Sequence, residues 1–473
     1  MTRDIVRAAA RRVARLHERF VPYFGRKETR EHSLVYLRGL MSNQRRKNVE
    51  AIALRFADST NGKPAAEKEV VALQSFITHS PWESADVMRE IQATVAEELF
   101  PSGSDAPKQL IGVIDESGFA KQGSESVGVA RQYCGRLGKA ANCQVGVFLL
   151  GATDTATALL DHQLFLGEKW VEDAARRKRT GVPDEITFRS KPELADEMVR
   201  RVRQVGILSF SWITGDALYG ASGKLLDSLE EIKQRYLLET RENITVWVED
   251  PAGKKSNTLG PKRRKRLGTW RPAGIKSLKE LARELPEDAW HKKKIREGSK
   301  GPLVCDFARQ RLWAIRHNRP GPPIWVLFRR ALDSGEVKYY VSNAEEDVSL
   351  DEMVYVAGKR WSVEKFFHDA KRHLGMADYE TRGWSSWHHH MCMVALAHLY
   401  VTLTKLDLKQ ETPEFTLDMA VEVLKTAFSR PTLSEDEAIH IIDYHLRNNH
   451  AAHESHRKSW LRKHKGKIPK ALL

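Results

Sequence analysis

Apolar residues in the first part of the chain recur with the period of an α-helix. One stripe at the i, i+3, i+4, i+7 spacing of a single buried face consists of Val49, Ile52, Ala53 and Phe56. A second helix is predicted to start at the capping-box sequence 80–83, where proline takes the first helical position. We predict a helical domain over 1–105, because the turn-rich stretch 101–105 then interrupts the pattern.

From residue 109 the pattern changes to short apolar runs, each typical of a buried strand. The predicted strands are 110–115, 143–150, 163–166, 207–216 and 236–238. Helices are predicted between the later strands, after Ser190 and after Gly220. This order, three strands followed by alternating helices and strands, predicts an α/β fold with a ribonuclease H-like core and a mixed sheet, whose first part covers 106–240.

The closing helix of such a core is postponed by a segment with strand-like runs, which we interpret as a β-rich insertion over 241–350. Helical order resumes at another capping box, 349–352, and one helix is predicted from there to about Leu374. We expect the closing helices of the core over 351–405. A C-terminal helical region with a basic tail is expected over 406–473.

Three carboxylates lie where this fold would bring acidic side chains together. Asp115 and Asp216 each end a predicted strand, and Glu364 lies inside the predicted closing helix. Hard oxygen ligands suit Mg²⁺ or Mn²⁺, and an open carboxylate site leaves room for a phosphate group. We therefore predict that these residues hold two divalent cations and catalyse phosphodiester chemistry on DNA. Glu116 is expected to point to the opposite side of its strand and is the less favoured ligand.

The predicted closing helix also carries basic side chains close to its glutamate. Arg360, Glu364, Phe367 and Lys371 are separated by four, three and four residues, so they share one helix face. We predict that Arg360 and Lys371 hold phosphate, the arginine through its planar fork and the lysine as a point charge. The alternative is an Arg–Glu surface pair that contributes only about 0.3 to 0.5 kcal/mol, with Lys371 uninvolved.

Composition and charge favour a polyanionic partner in a reducing compartment. The 77 Lys and Arg residues outnumber the 62 Asp and Glu residues and give a net charge of +15, which favours DNA through counterion release. The four cysteines are widely spread without a CxxC pair, so a reducing cytosol is the expected setting. No apolar run approaches the roughly 18 to 20 residues that span a bilayer, so no membrane segment is expected.

Two groups of basic residues are candidates for contacts with the DNA backbone. The first group, in the helical domain, includes Arg45, Arg46 and Lys47. The second, in the insertion and flanked by Trp247 and Trp270, consists of Lys262, Arg263, Arg264, Lys265 and Arg266. The helical domain can also be a purely structural cap, and the run 262–266 can also be a solvated loop.

The blocks around these carboxylates resemble those of bacterial insertion-sequence transposases of the DDE superfamily. The stretches similar to the first catalytic block are 113–121, 128–133 and 142–148, and 216–220 is similar to the second. The third block of that family has a Y-x2-R-x3-E-x6-K signature. Arg360, Glu364 and Lys371 match it, whereas Ala357 stands at the tyrosine position and Tyr355 lies two residues earlier.

The resemblance extends from about Phe20 to His456 and implies an enzyme that nicks the ends of a mobile element and joins the 3′ hydroxyl to target DNA. It also implies double-stranded DNA as partner, a homodimer or higher oligomer on DNA, and the strand insertion of the hairpin-forming branch. Two alternatives stay open. A structure-selective nuclease or resolvase would use the same acidic residues without joining ends, and a catalytically silent regulator would only bind DNA.

Overall fold

A computed structural model describes residues 3–56, 65–99, 109–251, 274–298, 301–412, 414–429 and 435–463. The chain divides into two compact units. The first unit comprises Met1–Trp82, Asp378–Glu380 and Val421–Leu473. The second unit comprises Glu83–Ala377 and Thr381–Ala420.

The α-helices and β-strands are numbered in chain order. The helices are α1 Arg3–Glu18, α2 Lys27–Met41, α3 Val49–Phe56, α4 Ala65–Thr78, α5 Ser84–Leu99, α6 Glu168–Val171, α7 Ala174–Thr180, α8 Lys191–Val205, α9 Ala217–Gly220, α10 Gly223–Glu231, α11 Leu278–Glu284, α12 Leu350–Lys359, α13 Trp361–His373, α14 Trp384–Glu411, α15 Leu417–Phe428 and α16 Glu435–Lys463. The strands are β1 Ile111–Ala120, β2 Ala130–Cys134, β3 Lys139–Ala152, β4 Thr157–Leu164, β5 Trp212–Gly215, β6 Tyr236–Thr240, β7 Thr245–Trp247, β8 Ile275–Ser277, β9 His291–Gly298, β10 Gly301–Arg316, β11 Arg319–Ala331 and β12 Val337–Ser342.

The first unit is helical, and an aromatic cluster lies at its core. The ring centroid of Trp82 lies 5.3 Å from that of Phe24 and 5.5 Å from that of Phe76. The indole N–H of Trp82 donates to the carbonyl oxygen of Phe76 over 3.1 Å. Because this packing holds Trp82 in the first unit, residues 80–83 are not helical and α5 begins at Ser84. The predicted helix start at the capping box 80–83 is therefore wrong.

The second unit contains a mixed sheet with the strand order of a ribonuclease H-like core. β1 pairs antiparallel with β3 and parallel with β5, β3 pairs antiparallel with β4, and β5 pairs parallel with β6. The core order is thus β4-β3-β1-β5-β6. On one side of β1, β5 and β6 run parallel to it, and on the other side β3 runs antiparallel to β1 and β4 antiparallel to β3. This topology confirms the predicted fold class.

The insertion continues the core sheet at its β6 edge. β12 pairs antiparallel with β6, and the order then runs β12-β11-β10-β7-β8, with β9 also paired to β10. Trp247 on β7 is only 7% exposed, so it packs within the insertion and offers no free ring for stacking on a base. The basic run 262–266 and Trp270 lie outside the described residues.

Two sequence predictions need correction around the carboxylates. β1 does not end at Asp115 but continues to Ala120, because its second half pairs with β3 down to Cys143. The single helix predicted from 349 to Leu374 is divided into α12 and α13, and Arg360 lies at the junction. Arg360 therefore lies at the start of α13 and not within a continuous helix.

Helix α14 is the most apolar long helix of the second unit. Residues Trp384–Gln410 are long and apolar enough to cross a membrane by length and composition alone, contrary to the expectation from the sequence. However, 78% of its most apolar window is buried inside the protein, and Trp387 and His390, on the same helix, are fully buried. This burial is that of a core helix, whose apolar surface is covered by the protein's own side chains.

Candidate catalytic site

The parallel pairing of β1 with β5 determines where the two aspartates lie. The last residue pair of this ladder joins Ile114 to Gly215. Asp115 directly follows Ile114 and Asp216 directly follows Gly215, so the two aspartates come next to each other just beyond this pair. This register brings the two aspartates together, as the sequence predicted. Asp115 does so from the middle of β1, where the pairing with β5 stops, and not from the end of the strand.

Asp216 also caps the short helix α9. Its Oδ1 accepts a hydrogen bond from the backbone N–H of Leu218 over 2.9 Å, which stabilises the turn directly after β5. At the other end of α9, a Cβ atom on Gly220 would lie 2.0 Å from the carbonyl oxygen of Glu239. Only glycine lets α9 approach β6 this closely, so Gly220 helps to position Asp216.

Three carboxylates come together at this point and form what we call the acidic cluster: Asp115, Glu116 and Asp216. One oxygen of each lies within 4.8 Å of one oxygen of each of the others. The expectation that Glu116 points away from the site is wrong. Lys191 donates to its Oε1 over 2.8 Å and the hydroxyl of Tyr219 donates to its Oε2 over 2.9 Å, and these two bonds hold Glu116 in the cluster.

The crowding of negative charge perturbs the aspartates. Burial raises the pKa of Asp115 to about 8, and Asp216 and Glu116 add to this rise, while the N–H of Glu116 and the guanidinium of Arg360 oppose it. Burial and the charge of Glu116 also raise the pKa of Asp216. Lys191 and Arg360 offset only part of this negative charge, since the pKa of both aspartates stays raised. Clustered carboxylate oxygens are the ligands that Mg²⁺ and Mn²⁺ prefer. The donor set therefore fits a divalent metal.

Arg360 connects the acidic cluster with Glu364. Its Nη2 donates to Glu364 Oε1 over 2.6 Å, and its Nε lies 3.6 Å from Glu239 Oε2. The same guanidinium lowers the pKa of both Asp115 and Asp216. Glu364 is not a member of the acidic cluster, and its side chain is 38% exposed. The structure thus brings the two aspartates together, and the charge of Arg360 acts on them as well as on Glu364.

Lys371 ties α13 to the strand that carries Asp115. Its Nζ donates to the hydroxyl of Ser117 over 2.7 Å. The ammonium also lies 5.2 Å from the ring centroid of Phe119 and 5.7 Å from that of Phe367. These contacts orient the helix on β1, so Lys371 is not merely a bystander on an exposed face.

The basic residues 45–47 of the first unit differ in what they offer to a ligand. Arg45 is exposed, and Arg46 is exposed and paired with Glu380 over 2.6 Å. Lys47 is only 4% exposed, and its ammonium donates to the carbonyl oxygen of Leu40. Burial lowers the pKa of Lys47 to about 7. Lys47 therefore does not fit the expected role in a phosphate contact.

Sequence reasoning missed the residues that support the cluster. Tyr219 is fully buried and lies in the block 216–220, and Lys191 is the first residue of α8. Neither position shows in the sequence that it reaches Glu116. Glu239 had a signal, because it lies near the end of β6, the parallel neighbour of β5, and parallel strands bring such residues to one edge of the sheet.

Comparisons with known proteins give one matching family model and two similar proteins. A family model described as DDE superfamily endonuclease matches residues 19–302, a range that includes the acidic cluster but not Glu364. A probable transposase for insertion sequence element IS701 from Microchaete diplosiphon is 25% identical over 311 residues, 65% of this chain and 67% of that protein. The structure of a piggyBac transposase synaptic complex with hairpin DNA aligns over 87% of this chain and 75% of that one, with 11% identity and a TM-score of 0.37.

Proposed function

Because the chain belongs to the DDE superfamily endonucleases, we propose that it is a DNA transposase that cleaves the ends of an insertion element and joins the 3′ hydroxyl to target DNA. The observation that carries this proposal is the acidic cluster at the end of the β1–β5 ladder. The sequence similarity to the probable IS701 transposase supports the same chemistry.

Two divalent cations, Mg²⁺ or Mn²⁺, are the proposed cofactor. Asp115 and Asp216 would hold them together with Glu364, and bound cations supply activation of the attacking hydroxyl and stabilisation of the leaving oxygen. Glu364 would bind a cation in place of its 2.6 Å ion pair with the guanidinium of Arg360. Asp115 has to lose its proton, because only the carboxylate binds a metal.

Arg360 and Lys371 are proposed to bind the DNA backbone beside the reacting bond. Once Glu364 holds a cation, the planar fork of Arg360 is available for a phosphate oxygen pair. Lys371 lies on the same helix and keeps α13 against β1 through Ser117. Both residues are thus proposed to position other groups. Arg360 would position the phosphate, and Lys371 would position nearby phosphates and the helix that carries Glu364.

The proposed substrate is double-stranded DNA, both the element ends and the target, in the bacterial cytoplasm close to the nucleoid. Arg45 and Arg46 contribute exposed positive charge for this contact, and the basic run 262–266 is proposed to contact the backbone of flanking DNA. Transposition joins two ends in one event. We therefore propose a homodimer or higher oligomer on DNA.

A strand-joining assay tests the proposal against its rivals. The protein is incubated with a pre-nicked element-end duplex and a supercoiled plasmid in Mg²⁺, and the products are separated on denaturing gels. A transposase yields end–plasmid joints that disappear with chelator. Cleavage without joints would instead indicate a nuclease, and stable binding without either product would indicate a regulator.

The role of the basic run has its own test. Replacing residues 262–266 together by alanine should weaken complexes with element-end DNA more than complexes with random duplex. Charge reversal of Lys68, an exposed residue of α4, is a control for general loss of positive charge. Equal effects on both DNA types would show that the run is a solvated loop without a specific contact to element ends.

A further inference from the structure

Helix α16 carries an apolar stripe that the first unit leaves exposed. Ile439 is 54% exposed, Ile442 56%, Leu446 61% and Trp460 51%. The helix has 29 residues, which corresponds to a length of about 43 Å. Large aliphatic side chains in such a row are costly in water, and a long surface helix is stable mainly when its apolar side is packed.

The stripe follows the spacing of a coiled-coil seam. Its members alternate in steps of three and four residues and are Ile439, Ile442, Leu446, Asn449, His453, His456 and Trp460. These are successive a and d positions of one heptad frame. The aliphatic residues form the N-terminal half of the seam and the tryptophan lies near its other end, so the apolar positions predict pairing with another helix.

The opposite face of α16 is attached to the first unit. Arg447 forms an ion pair with Glu67 over 2.7 Å, and Tyr444 is partly buried. At 100° per residue these two positions lie on the side of the helix away from Ile442 and Leu446. The attachment thus fixes α16 on its unit and directs the seam outward.

The charges along α16 identify the partner. Acidic residues outnumber basic ones in the N-terminal half, which carries Glu435, Asp436, Glu437 and Asp443 against Arg447. The C-terminal half has the opposite balance, with Arg457, Lys458, Arg462 and Lys463 against Glu454. A second copy in antiparallel orientation places each acidic half against a basic half. A parallel copy would place like charges together, which is unfavourable beside a seam. The charges of α16 are therefore complementary to those of a second α16 in antiparallel orientation.

We propose that α16 pairs with α16 of a second copy as an antiparallel coiled coil, and that this pairing is a self-association surface of the protein. The inference rests on the oligomer included in the proposed function, and it names the surface that forms it. It does not depend on catalysis, because the seam belongs to the first unit and the acidic cluster to the second.

The mass of the full-length protein without DNA tests the pairing. Sedimentation over a range of concentrations should give a dimer, and Ile442→Lys should shift the midpoint of dimerisation at least tenfold to higher concentration. Ser455→Lys adds the same charge to an exposed position outside the seam and should leave the midpoint unchanged. Both variants should keep the wild-type circular dichroism. A wild-type monomer at all concentrations, or equal effects of both substitutions, would overturn the proposal.

A charge exchange tests the orientation. Asp443 and Arg457 both directly follow a d position and therefore flank the seam. Asp443→Arg and Arg457→Asp should each weaken the dimer, because each places like charges face to face in the antiparallel pair. The double variant should restore it. If the double variant dimerises more weakly than either single variant, the antiparallel pairing is excluded. Metal-dependent cleavage of a single end, measured in parallel, separates this failure from failure of the proposed activity.

Discussion

Arg360 Nη2 donates to Glu364 Oε1 over 2.6 Å, across one turn at the start of α13. The guanidinium is 22% exposed and also lies 3.6 Å from Glu239. This pair is therefore not an ordinary surface ion pair, since its arginine also acts on the two aspartates of the acidic cluster. The guanidinium of Arg360 thus links Glu364 electrostatically to the two aspartates.

Arg360→Ala should separate metal binding from DNA binding. At pH above 8, loss of the competing guanidinium should raise the Mn²⁺ affinity a few-fold, as measured by calorimetry. The slope of log DNA affinity against log salt should become shallower by about 1, because one phosphate contact is lost. Arg360→Lys keeps the charge and should show the smaller change in both quantities. Unchanged values in both variants would make Arg360 and Glu364 a surface pair.

The raised pKa of Asp115 predicts how metal binding depends on pH. In the metal-free protein the carboxyl group is protonated below a pKa of about 8, and the metal has to displace this proton. The Mn²⁺ affinity should therefore rise about tenfold per pH unit between pH 6 and 8 and level off above it. Glu116→Gln removes one charge that raises this pKa and should move the plateau to lower pH. A pH-independent affinity over this range would contradict the assignment.

The same pKa has a consequence for stability. A carboxyl group whose pKa is raised in the folded state binds its proton more tightly there than in the unfolded chain. Its contribution to stability is therefore lost as pH rises from its ordinary value of 3.8 toward 8. Asp115→Asn has no such loss and should raise the melting temperature of the metal-free protein at pH 8 by about 2 to 4 °C. Mn²⁺ should stabilise the wild type but not this variant.

Gly220 provides a test of how α9 positions Asp216. Gly220→Ala places a Cβ atom 2.0 Å from the carbonyl oxygen of Glu239, so α9 has to move away from β6. Unfolding by urea should show a loss of about 1 to 3 kcal/mol, and cleavage should fall with it. Gly223→Ala is the matched control, because its Cβ meets no atom within 4 Å, and it should be neutral or slightly stabilising.

Tyr219 tests whether the support of Glu116 matters for the metal. Tyr219→Phe removes the 2.9 Å bond to Glu116 and should lower the Mn²⁺ affinity about tenfold, as loss of a group that orients ligands does. Tyr236→Phe removes an equally buried phenol–carboxylate bond, to Glu230 over 2.6 Å. It should cost similar stability but leave the Mn²⁺ affinity unchanged. Equal Mn²⁺ affinities in the two variants would show that Glu116 is held for folding alone.

The sequence predicted the core because its strands are short, apolar and in an order that few folds share. Asp115 and Asp216 could be placed together for the same reason, since they follow the last pair of one parallel ladder. The strand alternation that placed Glu116 on the opposite side failed. Alternation describes the direction of the Cβ atom, and Glu116 is held by long-range partners in α8 and α9.

The remaining differences also depend on contacts distant in sequence. The division between α12 and α13 at Arg360 is not marked by proline. Nearby Gly358 packs closely on β9, since a Cβ atom on it would lie 2.9 Å from the side chain of Ile295. Lys47 is held by a contact with a distant segment, because its backbone N–H donates to Asp378 Oδ2 over 3.0 Å. Periodicity within one segment cannot predict such packing, because it contains no information about which other segment lies against it.

The central claim is that Asp115, Asp216 and Glu364 form one metal-dependent catalytic site. Its most direct test is Mg²⁺-dependent cleavage of an element-end duplex by Asp115→Asn, Asp216→Asn and Glu364→Gln, with Glu422→Gln, an exposed carboxylate of α15, as control. Each of the three substitutions should reduce the cleavage rate by about a thousandfold or more while DNA binding stays within a few-fold, and the control should cleave normally. Cleavage at the wild-type rate by any of the three would contradict the account and remove that residue from the site.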